Sequence, residues 1–264
     1  MTKIILFCLL FLLGNSTLYA QQQYYVLSVG VSDYEGTKND LHFADVDAKR
    51  VAQFFIDAGV PSGHIKLLTN QNATRQNILS TLNTVFSAAQ PNDVVIFYFS
   101  GHGDKGVFLP ADFTGFSNAL LHREVKAAFK NCAAKHKLCI ADACFAGSIR
   151  TKSFDSSRDS LKTVEEKLKT ATAKAYKEAN NDVVVMMASR ANEESKEMSA
   201  LGQGAFTYYL LQGWRGTADL NGDKIITIKE LFRYTQQKVI AITKDMQHPV
   251  VFGKFDADMV LMRL

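Results

Sequence analysis

Residues 94–104 read VVIFYFSGHGD, and this stretch decides the fold. Its first part, residues 94–99, is a continuous apolar run rich in β-branched and aromatic side chains, as expected for a strand buried on both faces of a parallel sheet. A second run at residues 138–143 (LCIADA) is also apolar and leads directly into Cys144. Such strands predict a sheet that is covered by helices on both faces.

Strand-like and helix-like patterns alternate along the rest of the chain. Apolar runs predict further strands over residues 25–31, 65–68 and 183–187. Apolar positions at helical spacing predict helices over residues 41–58, 74–88, 120–129, 206–211 and 228–242. This alternation predicts an α/β protein, a three-layer α/β/α sandwich around a mainly parallel sheet. No linker or repeat divides the chain, so we expect a single domain over residues 21–264.

Composition excludes some classes of function. The chain has 264 residues, of which 47% are hydrophobic, so it can form a real core and is not a disordered protein. Its net charge of +4 is small and dispersed, and no basic stripe is interleaved with aromatic residues. We therefore expect no nucleic-acid partner.

Residues 1–20 have the pattern of a signal peptide. Lys3 is followed by an apolar run at residues 4–13, which is shorter than the roughly 20 residues of a membrane-spanning helix. Ala20 is a small residue suited to a cleavage point. We expect an exported protein, periplasmic or extracellular, without stable membrane association after cleavage; an uncleaved anchor is the alternative.

After residue 20 the chain carries three cysteines, Cys132, Cys139 and Cys144. In an oxidising compartment the first two could form a disulfide. The favoured alternative is three reduced thiols, two of them in the core. Under either interpretation one thiol is left that needs another explanation.

His102 and Cys144 each follow a predicted buried strand. The carboxyl ends of parallel strands meet at one edge of the sheet, where ligands bind. A cysteine reacts as its thiolate, and a neighbouring imidazole can take the thiol proton and later protonate a leaving amine. This placement indicates a Cys–His nucleophilic site.

Residues 98–103 (YFSGHG) and 140–147 (IADACFAG) resemble the His and Cys blocks of the caspase/metacaspase family, peptidase family C14. Further stretches resemble the family in order along the chain, namely residues 29–31, 39–48, 183–187, 204–207 and 247–249. The resemblance, to a bacterial metacaspase-like type, implies a caspase-like fold. It implies a large-subunit-like part at 21–149, an insertion at 150–181 and a small-subunit-like part at 182–264.

The resemblance also implies a cysteine-type endopeptidase with a polypeptide substrate. Cys144 would be the nucleophile that forms the acyl-enzyme, and His102 the acid/base. The backbone N–H groups of Gly103 and Cys144 would form the oxyanion hole. No third catalytic residue is assigned by the motifs.

In metacaspases, the residues that match Asp142, Asp47 and Ser100 form a pocket for Arg or Lys. No arginines stand where caspases use them to bind an Asp side chain. We therefore expect cleavage after Arg or Lys, with Asp142 as an unpaired carboxylate whose burial a substrate cation offsets. The alternative is a strand-end carboxylate bonded to backbone N–H groups.

The polar segment at residues 150–181 follows the predicted nucleophile. It is either a solvated surface helix or a segment that shields the site or is cleaved. An enzyme with the expected specificity could process itself at Arg150, Lys152, Arg158 or Lys162.

A calcium-loop pattern is present as Asp219, Asn221, Asp223 and Glu230. However, Lys224 stands where such a loop needs glycine. The favoured interpretation is a turn followed by a helix-capping box that starts at Thr227. We expect no cofactor, with these residues as weak calcium candidates.

Two rival functions remain open at this stage. One is a catalytically idle binding or regulatory protein with the same fold. The other is a cysteine hydrolase or transferase that uses the same dyad on a non-peptide acyl group.

Overall fold

The computed structural model describes residues 22–115, 117–144, 183–190, 193–253 and 256–264. The strands in this part of the chain are β1 (Tyr24–Gly30), β2 (Ile65–Thr69), β3 (Val94–Asp104), β4 (Val107–Phe108), β5 (Leu120–Leu121), β6 (His136–Cys144), β7 (Val183–Met187), β8 (Glu197–Met198), β9 (Gln203–Gly204), β10 (Ile225–Thr227), β11 (Val250–Phe252) and β12 (Val260–Arg263). The α-helices are α1 (Ala44–Asp57), α2 (Arg75–Ser87), α3 (His122–Lys130), α4 (Ala205–Gln212) and α5 (Ile228–Ile242).

The central sheet has the strand order β11-β7-β6-β3-β1-β2. Within this order, neighbouring strands from β2 to β7 are parallel to each other, and the edge strand β11 pairs antiparallel with β7. The short strands β4 and β5 extend the sheet from the end of β3. The predicted mainly parallel sheet is confirmed.

Alternate side chains of the central strands enter two separate cores. Phe97 and Phe99 of β3 pack in the core that contains α2 and α3. Ile96 and Tyr98 of the same strand pack in the core that contains α1, α4 and α5. Each fully buried side chain of this size contributes about 1.5–3 kcal/mol of hydrophobic stabilisation. The sheet therefore lies between two helical layers, as predicted.

Several predicted boundaries differ from the structure by one to five residues, and two of these differences lie near the site. β3 continues past residue 99 to Asp104, because its last residues still pair with β6 and then turn back onto β4. The predicted helix at residues 120–129 begins instead at His122, after the short strand β5. The Glu124 carboxylate accepts the Leu121 N–H at 2.9 Å and so closes the first turn of α3. In contrast, the predicted bounds of β7 and α5 are confirmed.

Candidate active site

The two predicted catalytic residues lie on neighbouring strands in the middle of the sheet. The parallel register of β3 and β6 places His102 opposite Cys144 and Ser100 opposite Asp142. The carboxyl ends of parallel strands meet at one edge of the sheet, and both backbone pairs lie at that edge, as predicted for the site. The catalytic roles of the residues stay predictions.

A backbone carbonyl orients the imidazole of His102. Nε2 of His102 lies 2.7 Å from the carbonyl oxygen of Asn39, in the short turn before α1. A carbonyl can only accept, so Nε2 carries the proton and Nδ1 is the basic nitrogen of the neutral ring. The Asn39 carbonyl therefore orients the ring, although the sequence motifs assigned no residue to this contact. No signal in the sequence could have found it, because every residue type has this carbonyl.

Tyr34 supports His102 from a second direction. Its hydroxyl accepts the backbone N–H of His102 at 2.8 Å and donates to the carbonyl of Leu109 at 3.0 Å. Its ring also contacts the imidazole, with 4.8 Å between the ring centroids. Gly101 makes room for this hydroxyl: its φ is 155°, and a Cβ there would lie 2.7 Å from the Tyr34 oxygen. Any larger residue at position 101 would displace the tyrosine.

The electrostatic surroundings favour a neutral His102. Burial lowers the pKa of its imidazole, and the bond to Asn39 and the charge of Glu197 partly oppose this effect. A neutral imidazole is the form that can accept the proton of a thiol. Among the described side chains, the charge that acts on this ring is the Glu197 carboxylate.

Gly103 follows His102 on β3 and lies opposite Phe108 of β4. The hairpin is reinforced by the Leu109 N–H, which donates to the His102 carbonyl at 3.0 Å. The oxyanion-hole role of the Gly103 and Cys144 backbone N–H groups stays a prediction.

The Asp142 carboxylate is buried, and both of its oxygens accept hydrogen bonds from uncharged groups. One oxygen accepts the Thr207 hydroxyl at 2.6 Å and the Thr207 backbone N–H at 3.2 Å. The other accepts the hydroxyl of Ser195. Tyr98 completes the chain of bonds, because its hydroxyl lies 2.6 Å from that of Thr207. The alternative expectation for Asp142 was a carboxylate that accepts from backbone N–H groups. The bond from the Thr207 N–H agrees with that alternative in part.

Asp47 of α1 meets Asp142 across Gly204. The Gly204 N–H lies 3.2 Å from both Asp47 oxygens, and Gln203 donates to Asp47 at 3.3 Å. A Cβ on Gly204 would stand 2.6 Å from an Asp142 oxygen and 2.8 Å from an Asp47 oxygen. Only glycine allows both carboxylates to converge at this point. Ser100 is buried beside them, with its hydroxyl 3.4 Å from Asp47.

Burial and mutual repulsion make this pair of carboxylates costly to ionise. Burial raises the pKa of both groups, and the charge of Asp142 raises the pKa of Asp47 further. The hydrogen bonds described above oppose the increase without cancelling it. The three residues predicted for the basic side-chain pocket are thus brought together, as a buried acidic cluster.

Sequence reasoning missed the residues that hold this cluster. Ser195, Gln203, Gly204 and Thr207 all belong to the small-subunit-like part, and the motifs had marked residues 204–207 without giving them a role. The two carboxylates could be found because the resemblance to metacaspases marks their positions. Their hydroxyl and amide partners are common residues, and only the fold brings them to the site.

The two cysteines outside the predicted dyad, Cys132 and Cys139, are core residues. Cys132 and Cys139 are both buried free thiols, and burial raises the pKa of Cys139 to about 12. Such a thiol stays protonated and unreactive at neutral pH. The favoured interpretation of these two residues is confirmed.

The calcium-loop pattern forms a hydrogen-bonded turn. Asp219 accepts the N–H groups of Gly222 and Lys224 at 2.8 and 3.0 Å. The Asn221 side chain donates to Asp223 at 3.0 Å. The predicted capping box is confirmed, because Thr227 and Glu230 bond reciprocally at the start of α5. Within the described ranges, no group of three or more His, Cys, Asp or Glu side chains is placed to hold a metal ion.

The predicted signal peptide at residues 1–20 and the insertion at 150–181 lie outside the described residues. Of the helices that are described, none combines the length and the apolar character needed to cross a membrane.

Comparison of the sequence with known proteins yields metacaspases. Metacaspase-1 of Candida albicans is 34% identical over 96 residues, which are 34% of this chain and 21% of that protein. Metacaspase-1 of Cryptococcus neoformans is 30% identical over 129 residues, which are 43% of this chain and 28% of that protein. The chain therefore spans about a fifth of the length of the curated metacaspases it matches.

A solved structure supports the fold, and a family model identifies the family. A crystal structure of a Geobacter sulfurreducens protein matches 91% of this chain and 97% of that one, with a TM-score of 0.59 and 17% identity, which shows the fold alone. The family model of the caspase domain, Peptidase_C14, matches residues 24–259. This match covers most of the chain, and the chain therefore belongs to the peptidase C14 family of caspase domains.

Proposed function

We propose that this chain is a cysteine endopeptidase that cleaves after Arg or Lys. The observation that carries the proposal is the register of β3 and β6, which pairs His102 with Cys144 while Asn39 fixes the proton on Nε2. The metacaspase relatives and the caspase-domain match support the same chemistry.

In the proposed reaction, Nδ1 of His102 takes the proton of the Cys144 thiol, and the sulfur attacks the carbonyl carbon of the scissile bond. The Gly103 and Cys144 N–H groups stabilise the oxyanion of the tetrahedral intermediate. The imidazolium then protonates the leaving amine, which gives the acyl-enzyme. Water hydrolyses the thioester with His102 as the base, and the free thiol is restored.

The acidic cluster supports the preference for a basic side chain. Asp47 and Asp142 are buried together, and their repulsion raises the pKa of Asp47. A guanidinium or ammonium group beside them would replace this repulsion by attraction and offset the cost of burying charge. A substrate carboxylate, as in an Asp side chain, would add a further like charge and be repelled.

Labelling and hydrolysis together test the proposal. Cys144 should react with an acyl electrophile that carries Arg and not with its Asp counterpart, and Cys144→Ala and His102→Ala should each lose more than about 1,000-fold in activity on an Arg peptide. Labelling by neither reagent would favour the idle binding protein. Labelling without hydrolysis of any peptide would favour another acyl substrate.

Export and self-processing are a separate proposal that rests on the sequence. We expect the mature chain to begin near Gln21 and a two-chain form to result from cleavage within residues 150–181. N-terminal sequencing of the purified protein tests the first expectation. The Cys144→Ala form tests the second, because a variant that is still cut identically would exclude self-processing.

The proposed reaction uses only groups of the protein itself. We expect activity to be independent of added calcium or chelator. Calorimetric titration with Ca²⁺ tests this expectation and is repeated with Asp219→Asn. Binding heat in the parent that is absent in the variant would show that the loop binds calcium.

A further inference from the structure

We propose that Glu197 is a positioning residue that couples the hairpin of β8 and β9, in the small-subunit-like part of the chain, to the orientation of His102. The inference rests on the proposed function, since it concerns the dyad of the same reaction. Neither the family motifs nor the sequence pattern assigns a role to this glutamate.

The contacts of Glu197 reach across the site. Its two carboxylate oxygens accept the backbone N–H groups of Phe43 at 2.7 Å and His42 at 3.0 Å. Glu197 itself lies on β8, opposite Gly204 of β9. One carboxylate thus fixes the approach to α1 from the other half of the chain. Charge-assisted bonds of this kind are stronger than bonds between neutral groups.

The segment fixed in this way is the one that orients the catalytic imidazole. Asn39, whose carbonyl accepts from His102, lies only three residues before His42. The link between them is short and is held near β1 by the Leu41 N–H, which donates to Ser32 at 2.9 Å. A shift of residues 42–43 would therefore move the Asn39 carbonyl and release Nε2.

The same hairpin also holds the acidic cluster. Gly204 donates to Asp47, and Ser195, two residues before Glu197, donates to Asp142. One short element therefore contacts both the predicted specificity pocket and the support of the dyad. Occupation of the pocket and orientation of the imidazole are linked through it.

The charge of Glu197 acts on the dyad as well. It raises the pKa of three titratable groups, namely His102 on β3, Asp47 on α1 and Asp142 on β6. Its carboxylate raises the pKa of His102 and so favours the imidazolium, which must protonate the leaving amine. Removing the charge should lower this pKa. The acidic limb of the pH–rate profile, where protonation of the base His102 stops the reaction, would then move to lower pH.

Glu197→Gln is the variant of choice, because the amide oxygen can still accept one N–H while the charge is lost. Glu194→Gln is its matched control, since Glu194 is an exposed carboxylate of the same segment that pairs with Lys196. We expect Glu197→Gln to lower kcat on an Arg peptide by about tenfold, with a smaller change in KM and an acidic limb at lower pH. Glu194→Gln should leave all three unchanged.

A second measurement does not depend on any substrate. In the Cys144→Ala background, NMR titration of labelled histidines should show a lower pKa for His102 in Glu197→Gln than in the parent and in Glu194→Gln, with the His102 signals assigned by His102→Ala. Glu197→Ala should in addition lose the Nε2–H tautomer. Folding of each variant is checked by its melting temperature.

Unchanged His102 titration in both Glu197 variants, or an equal shift in Glu194→Gln, would overturn the inference. Failure of the proposed function is a different result, in which the parent protein hydrolyses no Arg or Lys peptide while the histidine titrations can still be read.

Discussion

The groups that orient His102 differ in chemistry from the groups that form the acidic cluster of Asp47 and Asp142. His102 is held by uncharged groups, the Asn39 carbonyl and the Tyr34 hydroxyl. Asp47 and Asp142 are charged groups held by amides and hydroxyls. The first arrangement fixes a tautomer and a direction. The second buries two carboxyl groups beside each other, where they are costly to ionise.

The two regions also draw on different parts of the chain. Tyr34, Asn39 and Leu109, which support His102, all precede Cys144 in the sequence. Ser195, Gly204 and Thr207, which support the carboxylates, all follow residue 182. The imidazole can thus be oriented largely within the first half, whereas the pocket exists only when both halves are assembled. Substitutions at Asp142 and at Tyr34 should therefore separate specificity from chemistry.

The largest separation is expected for Asp142→Asn. The amide keeps the shape of the side chain and can still accept from Thr207, but it removes the charge that a substrate cation would meet. We expect kcat/KM for an Arg peptide to fall about 100-fold, because losing one member of a buried charge pair costs about 2–5 kcal/mol. Peptide assays with Arg and with uncharged norleucine at the cleavage position measure the change.

The matched control for this variant is Asp57→Asn, which removes an exposed carboxylate at the end of α1. It should change neither substrate. An Asp142→Asn enzyme that still prefers Arg over norleucine to the parental degree would show that the cluster does not read substrate charge.

Tyr34→Phe should affect chemistry and spare specificity. The ring contact with the imidazole is kept, but the buried N–H of His102 and the carbonyl of Leu109 lose their partner. An unsatisfied buried group costs about 1–3 kcal/mol, so we expect kcat to fall about tenfold. The Arg-to-norleucine ratio should not change.

Steady-state kinetics of Tyr34→Phe beside Tyr208→Phe provide the measurement and its control, since Tyr208 lies away from the dyad on α4 and contacts Tyr209. Parental kcat in Tyr34→Phe would mean that Asn39 alone suffices to hold the imidazole.

The same Asp142→Asn variant should be more stable than the parent at neutral pH. Because the pKa of a buried carboxyl is raised in the folded protein, its stabilising contribution is present at low pH and is lost as the pH rises through the folded-state value. Above that pH the parent carries repulsion that the variant lacks. The melting temperature should rise by about 2–4 °C for each kcal/mol relieved.

Calorimetric scans across pH test this sign. The gain should be present at pH 7–8 and shrink as the pH falls towards the ordinary Asp value of about 3.9. A variant that is less stable at neutral pH would show that the hydrogen bonds of Asp142 outweigh its burial cost.

The division between the two regions also limits what the sequence can predict. β3, β6, β7 and α5 could be predicted because continuous apolar runs and helical spacing are local patterns. His102 and Cys144 could be proposed from their residue types and their places at the ends of strands, and Asp47 and Asp142 from the resemblance to metacaspases. Their supports could not be predicted in the same way, because a hydroxyl or a backbone amide acquires its role only through distant pairing. The short strands β4 and β5 could not be predicted either, because two residues carry no pattern and each strand forms through pairing with another.

The Asn39 carbonyl is the extreme case of this limit, and it gives the smallest expected effect. Asn39→Ala keeps the carbonyl that accepts from His102, so kcat should stay within about twofold of the parent. Asp40→Pro should instead reduce kcat strongly, because a proline restricts the backbone of the residue before it and would rotate that carbonyl. Asp40→Ala controls for the lost carboxylate, which accepts the Tyr34 N–H at 3.1 Å. If Asn39→Ala lost activity while Asp40→Pro kept it, the side chain and not the backbone of Asn39 would orient the imidazole.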